Sequence, residues 1–435
     1  MQVRQQLGVR NPATFNLVCA LLGGTILLSV VGYRHLTAHN YQDFPQFYMG
    51  GIMARDGDWD SLYPVPLPGS ERNAGEFDTS TMRPRYAQLA TEAGVPDAQR
   101  FIQAPPIALV LWPLSFLSYS DAHLAWTVLS VAFGMMIAWQ AGAVFERLAG
   151  RKTHMQGLVV LLVATAPNMY QSCRMGQVST LVGACLGAAV LGFAAPRYCS
   201  ARTGFALFFA TLVKYLGVIL LPIPLAMRQF GTVAWTLGLG IGSAVISAFI
   251  VGLDPWKEWL MVIAPTLVRS HAWSANQSAY GVAVRLNGTN PLPPSIAIPL
   301  RIASLASLAT ILTLIFTRHR TAWSRPATIF AACTALLAWS HVFSPIFWNH
   351  YYVYLFPLWG WLAWEGLRSR AAGILVAVAF VLAWAPLGII PSLAQQTPEL
   401  VRDHMLWSAL LVFAFAVTRL AQSKAQQIPD IEKAH

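Results

Sequence analysis

A small number of ionisable and amide side chains interrupts a chain that is otherwise strongly apolar. Asp43 is a carboxylate set among aromatic residues, and Lys214 stands in the middle of the apolar run 203–227. The other candidates are Arg174, Gln177, Asn276, Gln277, Asn349 and His350. Ionisable groups inside apolar segments are costly and usually face a cavity or a partner. A carboxylate, cations, an imidazole and amides in one cavity indicate acid–base chemistry on a polar or charged substrate.

Each ionisable candidate also has a structural explanation. Asp43 can cap a helix that begins just after it, where Pro45 fits the first turn. Lys214 can extend to the membrane surface or form a structural pair, and Arg174 can bind lipid head groups. A histidine at a helix start, such as His350, is more often a capping or packed residue than a catalytic one. Taken residue by residue, the sequence leaves these alternatives open.

The composition restricts the class of protein. Of the 435 residues, 56% are hydrophobic and only 11% are charged, with a mean hydropathy of +0.51. So few charges cannot cover the surface of a water-soluble domain, and a polytopic α-helical membrane protein is predicted. The net charge of +11 lies in short clusters between apolar runs, which are membrane orientation signals rather than a nucleic-acid surface. The five cysteines show no C-x-x-C pair, so neither a disulfide framework nor a zinc site is indicated.

The hydrophobic runs predict the positions of the membrane helices. They lie at about 13–33, 121–145, 156–170, 178–195, 232–252, 297–317, 326–342, 351–366, 371–390 and 405–420, with a short hairpin over 203–227. A second external loop is predicted at 254–294 and a cytoplasmic tail at 421–435. No internal repeat and no soluble domain stand out, so residues 1–435 are predicted to form a single integral membrane domain.

The first external loop, residues 34–104, is the longest polar stretch and holds nine of the eighteen acidic residues. Helical pieces are predicted within it near 44–54 and 81–93. The apolar segment 107–117 that follows is too short to span a bilayer and contains Pro113. We interpret this segment as a juxtamembrane helix.

The basic residues predict how the chain is oriented. Arg4 and Arg10 place the N-terminus in the cytoplasm, because cytoplasmic connections carry an excess of Lys and Arg. The later basic clusters fall on that side only if residues 203–227 turn back at Lys214. Each arm of this hairpin has about a dozen residues, roughly 18 Å of helix, and must sit in a thinned or water-filled region. The result is about twelve membrane helices, with both termini cytoplasmic and every candidate site residue on the outer side.

Several motifs are absent from the sequence. There is no G-x-x-x-x-G-K-[ST], so ATP is not indicated, and no H-E-x-x-H or G-x-S-x-G hydrolase motif occurs. The helices do not form two similar halves, which weakens the prediction of a secondary transporter.

Five stretches resemble the glycosyltransferase 87 family in the same order. They are Asp43-Phe44 with Phe47-Tyr48; Pro105-Pro106 followed by Pro113-Leu114; Gly176-Gln177 with Lys214 in the hairpin position; Asn276-Gln277-Ser278; and Ser344-Pro345 with Trp348-Asn349-His350-Tyr351. The resemblance spans about residues 40–360. Two positions depart from the family pattern: Ala104 replaces the usual tyrosine before Pro-Pro, and Asn349 replaces the first histidine of a frequent His-His pair.

The resemblance implies a GT-C fold and an inverting enzyme that takes a hexose, most simply mannose, from a polyprenyl-phosphate donor to a lipid or glycan acceptor. Asp43 would be the general base. The donor phosphate or sugar would be bound by Lys214, Arg174, Gln177, His350, Asn349, Asn276 and Gln277. The acceptor or the first loop would be positioned by Phe44, Tyr48, Pro105 and Pro106.

The resemblance also implies a location and the partners. The site would face the outside of the cytoplasmic membrane, and the partners would be the donor lipid, the acceptor and membrane lipids. No cofactor is expected, and an obligatory metal is not expected because the leaving group is a lipid phosphate without pyrophosphate. The alternative is a non-enzymatic flippase or transporter of lipid-linked sugars.

Overall fold

A computed structural model describes residues 11–37, 43–64, 82–195, 197–267, 270, 272–318, 320–385 and 399–422. Regular structure in these residues is helical, apart from one isolated antiparallel bridge between Asn276 and Trp348. Together with the apolar composition, this confirms an all-α membrane protein.

Most of the helices follow one another through short connections. In chain order they are α1 (Pro12–Thr37), α2 (Phe44–Asp56), α3 (Pro84–Glu92), α4 (Pro105–Leu111), α5 (Tyr119–Ala149), α6 (His154–Ala164), α7 (Pro167–Arg174), α8 (Ser179–Phe193), α9 (Ser200–Lys214), α10 (Pro222–Ala226), α11 (Phe230–Val251), α12 (Asp254–Glu258), α13 (Ala264–Leu267), α14 (Ala279–Asn287), α15 (Pro294–Phe316), α16 (Pro326–Phe343), α17 (Trp359–Gly366), α18 (Arg370–Trp384), a turn at Glu399–Arg402 and the C-terminal helix His404–Gln422. Short 3₁₀ segments lie at Trp59–Ser61, Trp112–Phe116, Leu216–Leu220, Arg320–Ser324, Asn349–Tyr354 and Phe356–Leu358, with a π-helical segment at Trp259–Ile263.

Six helices in the described ranges are long and apolar enough to cross a membrane. They are Pro12–Tyr33, Tyr119–Ala149, Phe230–Val251, Pro294–Phe316, Pro326–Phe343 and His404–Gln422. Shorter apolar helices lie at Pro105–Phe116, His154–Ala164, Ser179–Phe193, Leu216–Ala226 and Arg370–Trp384. The total of about twelve spans and their orientation stay predictions.

The long helices differ in how deeply they are packed. The spans of α11 and α15 are each 11% buried, whereas that of α16 is 78% buried. A helix that is apolar all round and yet exposed suits contact with lipid tails. α11 and α15 therefore lie at the periphery, and α16 lies in the interior against the C-terminal helix.

Prolines break two segments that the sequence predicts to be single helices. The helix predicted at about 156–170 is divided into α6 and α7, because Pro167 lacks the N–H that would continue the hydrogen-bond ladder. This break places Arg174 on the last turn of α7. In the helix predicted at about 351–366, two 3₁₀ turns precede α17, and the second contains Pro357. Residues 38–42, 65–81, 386–398 and 423–435, which include most of the predicted tail, lie outside the described residues.

The chain reverses immediately after Lys214, as the hairpin prediction requires. Tyr215 has φ 57°, a left-handed conformation that ends α9. The next turn packs back on α9, because a Cβ at Gly217 would lie 2.1 Å from the carbonyl oxygen of Leu207. Lys214 therefore stands at the tip of this turn.

Two glycines in α2 allow it to pack closely against its neighbours. A Cβ at Gly50 would meet the ring of Phe101, and one at Gly51 would lie 2.7 Å from the carbonyl oxygen of Leu111, at the end of α4. α2 can therefore rest directly on α4 and on the segment before it. This packing explains why the two glycines follow Asp43, whose position depends on α2.

Candidate active site

Backbone contacts hold Asp43 against the turn that follows α7. Asp43 precedes α2, and its N–H donates to the carbonyl oxygen of Met175 at 3.2 Å. The next residue in that turn, Gly176, has φ 65° and contacts Phe44. The carbonyl oxygen of Gly176 accepts a hydrogen bond from Nε1 of Trp126 at 2.8 Å. Two segments far apart in sequence are thereby joined, which places Asp43 next to Gln177.

The carboxylate of Asp43 does not cap α2. Its side chain makes no capping hydrogen bond, although the residue occupies the N-cap position. One oxygen, Oδ1, accepts a bond from Nε2 of Gln46 at 3.3 Å, while Oδ2 is buried and has no hydrogen bond of normal geometry to any described residue. Burial raises the pKa of Asp43; Gln177 and the positive charge of Lys214 act to lower that pKa, with smaller effects. An underused carboxylate with a raised pKa is suited to accept a proton.

Aromatic residues enclose the start of α2. Phe44 contacts the rings of Tyr48, Tyr119, His123 and Trp126. The hydroxyl of Tyr48 donates to the carbonyl oxygen of Leu117 at 2.8 Å. Phe44 and Tyr48 are both buried. Their observed contacts therefore fix the helix that follows Asp43.

Lys214 is held by a tyrosine that immediately follows His350. Its Nζ donates to the hydroxyl of Tyr351 at 2.8 Å and lies 4.9 Å from the centre of the same ring. The charge of Lys214 is also close enough to Asp43 to affect its pKa. The hairpin tip and the start of α2 therefore lie within electrostatic range of each other. Tyr351 also belongs to this group, although the sequence offers it only as the last residue of the Trp348–Tyr351 stretch and assigns it no role.

His350 has a fixed backbone and an imidazole with both nitrogens unused. Its carbonyl oxygen accepts a bond from Oγ of Ser172 at 3.2 Å, and the carbonyl oxygen of Asn349 accepts one from Nδ2 of Asn168 at 3.0 Å. The imidazole is buried, with no hydrogen-bond partner for either ring nitrogen in the described part of the chain. It stacks edge-on against Tyr351 at 4.6 Å. The ring does not cap a helix and remains able to bind a substrate group.

Arg174 and Gln177 also carry unused polar atoms. Nε of Arg174 is buried without a hydrogen-bond partner in the described ranges, and so is Oε1 of Gln177. Unpaired buried polar groups are rare and each needs an explanation. Both residues are within two positions of Met175, whose carbonyl oxygen is bonded to Asp43. Gln177 acts on the pKa of Asp43, and no described contact brings the Arg174 side chain to it.

Asn276 and Gln277 use their amides inside the protein. Oδ1 of Asn276 accepts a bond from the N–H of Phe347 at 2.9 Å, and its Nδ2 donates to the carbonyl oxygen of Pro345 at 3.1 Å. Nε2 of Gln277 donates to Ser274 at 2.7 Å, and its Oε1 accepts from the N–H of Met405 at 3.3 Å. These bonds stabilise the segment that leads into His350. Both amide groups are therefore bonded within the protein, and no described contact leaves them oriented toward a ligand.

Asn349, Pro105 and Pro106 also have structural roles within the protein. Oδ1 of Asn349 accepts a bond from the N–H of His350 at 2.8 Å. Pro105 and Pro106 are buried in the first turn of α4, with Ala104 as the N-cap residue. This is a favoured place for proline, because the first helical N–H groups have no partner within the helix. The proline pair therefore supports α2 through α4.

The structure thus brings together Asp43, Gln177, Lys214, His350 and Tyr351. Residues 11–37, 43–64, 82–195 and the other described ranges contain no group of three or more His, Cys, Asp or Glu side chains placed to hold a metal ion. The requirement for a metal stays untested.

A carboxylate within electrostatic range of a lysine, inside a polytopic helical bundle, is an arrangement suited to proton transfer beside a negatively charged group. Comparison with known proteins gives the family. The model of glycosyltransferase family 87 matches residues 101–345, and this chain belongs to that family. It is therefore a membrane glycosyltransferase.

A curated relative supports the same family. Over 331 residues the chain is 23% identical to the polyprenol-phosphate-mannose-dependent alpha-(1-2)-phosphatidylinositol mannoside mannosyltransferase of Mycobacterium tuberculosis (strain ATCC 25618 / H37Rv). The match covers 72% of this chain and 75% of the relative.

Gly176→Ala is expected to disturb the site more than an otherwise similar glycine substitution. A Cβ there would lie 2.6 Å from Cβ of Phe44, in addition to the strain of φ 65°. Gly150→Ala is the matched control, because Gly150 has φ 68° and open space around it. Both substitutions carry a backbone cost of about 1–2 kcal/mol. Thermal midpoints and transfer rates of the two purified variants should show the larger loss for Gly176→Ala; equal losses would contradict the contact with Phe44.

Proposed function

We propose that this protein transfers a hexose, most simply mannose, from a polyprenyl-phosphate-sugar donor to a lipid or glycan acceptor. The observation that carries the proposal is the Asp43 carboxylate, with its buried Oδ2, within electrostatic range of Lys214, whose Nζ is bonded to Tyr351 next to His350. The relative's dependence on polyprenol-phosphate-mannose supports the choice of donor. The membrane-embedded setting suits a donor that is itself a lipid.

Asp43 acts as the general base in this proposal. Its Oδ2 takes the proton from an acceptor hydroxyl while that oxygen forms a bond to the anomeric carbon. The bond between the anomeric carbon and the donor phosphate oxygen breaks, and its electron pair leaves with the polyprenyl phosphate. Attack from the face opposite the phosphate inverts the anomeric configuration.

Lys214 and Arg174 stabilise the leaving phosphate. Negative charge develops on the phosphate as the glycosidic bond breaks, and preorganised cations in a water-poor site lower the energy of that state. Tyr351 keeps Lys214 in place through its hydroxyl. His350 and Gln177 have free ring and amide atoms with which to orient sugar hydroxyls or the phosphate.

Asn276, Gln277 and Asn349 are proposed to position His350 rather than to touch the donor, because their amides are engaged within the protein. We place the site at the outer face of the cytoplasmic membrane with both termini in the cytoplasm. The basic clusters between the apolar runs support this orientation.

The flippase or transporter alternative makes the opposite prediction about product formation. A transporter moves a lipid-linked sugar without making a glycosidic bond, whereas the family match and the relative both point to transfer. Because the Asp43 carboxylate makes no capping bond, it is also available to accept a proton during transfer.

Purified protein in detergent is expected to form a new glycosidic product from polyprenyl-phosphate mannose and a lipid extract. Mass spectrometry identifies the acceptor by its gain of one hexose, and NMR of the product gives the anomeric configuration. GDP-mannose replaces the lipid donor as a control and should give no product. Because the leaving group is a single phosphate, EDTA should not stop the reaction. Movement of the donor across liposomes without any glycosidic product would favour the transporter instead.

A further inference from the structure

The hydroxyl of Tyr351 accepts a hydrogen bond from Lys214 and still has its own proton to donate. Nζ of Lys214 lies 2.8 Å from the hydroxyl oxygen. An ammonium group can only donate, so the oxygen is the acceptor of this bond and the O–H of Tyr351 points elsewhere. Among the described residues, the hydroxyl makes no hydrogen bond other than the one from Lys214. The phenol is therefore a hydrogen-bond donor whose acceptor is not a described part of the chain.

The ammonium of Lys214 is not neutralised by direct contact with a described carboxylate. None of the ion pairs between described residues includes Lys214. Asp43 lies within electrostatic range of it without forming such a pair. The bond to Tyr351 uses one N–H of the ammonium, and further N–H donors remain. Lys214 and Tyr351 thus present positive charge and unused donors side by side, an arrangement that suits a bound anion.

The exposure of the two side chains leaves room for a ligand to reach them. Lys214 and Tyr351 are both half-buried, whereas His350 and Tyr352, on either side of Tyr351, are buried. The ring of Tyr351 packs edge-on against His350, with 4.6 Å between the ring centres, and lies 5.4 Å from the ring of Tyr354. These contacts fix the ring, so its hydroxyl is held in place before a ligand binds.

We propose that Tyr351 binds the phosphate of the sugar donor directly, with its O–H donating to a phosphate oxygen beside Lys214. The inference rests on the proposed function, since it assigns this tyrosine to the leaving group of that reaction. A hydroxyl that accepts a bond from an ammonium is polarised and becomes a stronger donor. Its bond to the phosphate strengthens as negative charge grows there during cleavage of the glycosidic bond. Tyr351 is then a catalytic residue and not only the residue that holds Lys214.

Binding of polyprenyl phosphate, the leaving group itself, tests this contact without any sugar transfer. Native mass spectrometry of the full-length protein in detergent compares polyprenyl phosphate with uncharged polyprenol of the same length. Tyr351→Phe should bind polyprenyl phosphate about tenfold more weakly, as expected for loss of a hydrogen bond to a charged group. Its affinity for polyprenol should not change. Phenylalanine keeps the ring, whose centre lies 4.9 Å from Nζ of Lys214, so the lysine retains this contact.

Tyr352→Phe is the matched control, because it removes a hydroxyl from the adjacent residue. That hydroxyl is bonded to Oγ of Ser408 at 2.6 Å, and the side chain is buried. Its loss should lower the thermal midpoint and leave the affinity for polyprenyl phosphate unchanged. Thermal midpoints of all variants establish that each one is folded.

Two further measurements distinguish a phosphate contact from an effect that acts only through Lys214. In the Lys214→Met background, Tyr351→Phe should still lower the transfer rate about tenfold, because the phosphate contact does not require the lysine. Fluorotyrosine in place of Tyr351 has a more acidic hydroxyl, which is a stronger donor and a weaker acceptor. At a pH where this phenol stays protonated, polyprenyl phosphate should bind more tightly. A tyrosine that only accepts from Lys214 would give weaker binding.

The outcomes separate this inference from the proposed function. Unchanged binding of polyprenyl phosphate in Tyr351→Phe would overturn the inference, as would an equal loss in Tyr352→Phe. It is also overturned if the effect of Tyr351→Phe disappears in the Lys214→Met background, or if fluorotyrosine weakens binding. A loss of transfer as large as that of Asp43→Asn would overturn it in favour of a phenol that accepts the proton. Absence of sugar transfer, with binding of polyprenyl phosphate still dependent on Tyr351, would instead count against the proposed function.

Discussion

Asp43→Asn is expected to reduce sugar transfer by about 10³-fold, because a positioned general base contributes roughly that factor. The amide cannot take the proton of the acceptor hydroxyl. The fold should persist, since the carboxylate does not cap α2 and the hydrogen bond that it accepts from Gln46 has an equivalent in asparagine's carbonyl oxygen. Single-turnover rates with saturating donor measure the chemical step, and donor binding should change little.

The matched control is Asp254→Asn, which removes a carboxylate that also stands at a helix start but is 85% exposed. Its activity should be unchanged. Retention of full transfer by Asp43→Asn, or an equal loss in the control, would contradict the base role.

The pH profile gives a second measurement of the same role. Only the deprotonated carboxylate accepts a proton, so transfer should fall as the pH drops through the pKa of Asp43. Burial raises that pKa, and the acid limb should therefore lie above about 3.9, the ordinary value for aspartate. An acid limb at or below the ordinary value would contradict the buried environment.

Lys214→Met is expected to lower the rate of transfer by about 10²-fold, as loss of a preorganised group that stabilises developing charge does elsewhere. Methionine keeps the length and apolar body of the side chain, so the hairpin turn should survive. Donor affinity should fall less than the rate, because the charge on the phosphate grows as the glycosidic bond breaks. Pre-steady-state rates and donor binding, measured separately, distinguish the two effects.

The same variant should also move the acid limb of the pH profile. The charge of Lys214 lowers the pKa of Asp43, so its removal should shift the limb to higher pH. Lys214→Arg should have a higher transfer rate than Lys214→Met. Tyr351→Phe should lose less of the transfer rate than Lys214→Met, because it keeps the positive charge of Lys214. Lys257→Met, which removes a lysine that is 70% exposed, is the control and should leave both rate and profile unchanged. An unchanged pH profile in Lys214→Met would contradict an electrostatic effect of Lys214 on Asp43.

Much of the architecture could be predicted because hydropathy is a local property of the chain. The long helices α5, α11, α15 and α16 begin and end within a few residues of the predicted limits. The chain turns at Tyr215, directly after Lys214, and the membrane hairpin expected there stays a prediction. The helix predicted over about 156–170 is two helices, because Pro167 cannot continue the hydrogen-bond ladder of the first.

The membrane class, the order of the helices and the unusual positions of Asp43, Lys214 and His350 can all be inferred from the amino-acid sequence. These conclusions depend on composition and on short motifs, which need no knowledge of distant partners. The contacts of each polar group, by contrast, depend on how the helices pack in three dimensions. The structure shows that Asp43 does not cap its helix, that Tyr351 holds Lys214 and that the amide of Asn276 braces the chain. Such contacts join residues more than a hundred positions apart in some cases, as for Lys214 and Tyr351, and packing of the whole bundle is what brings them together.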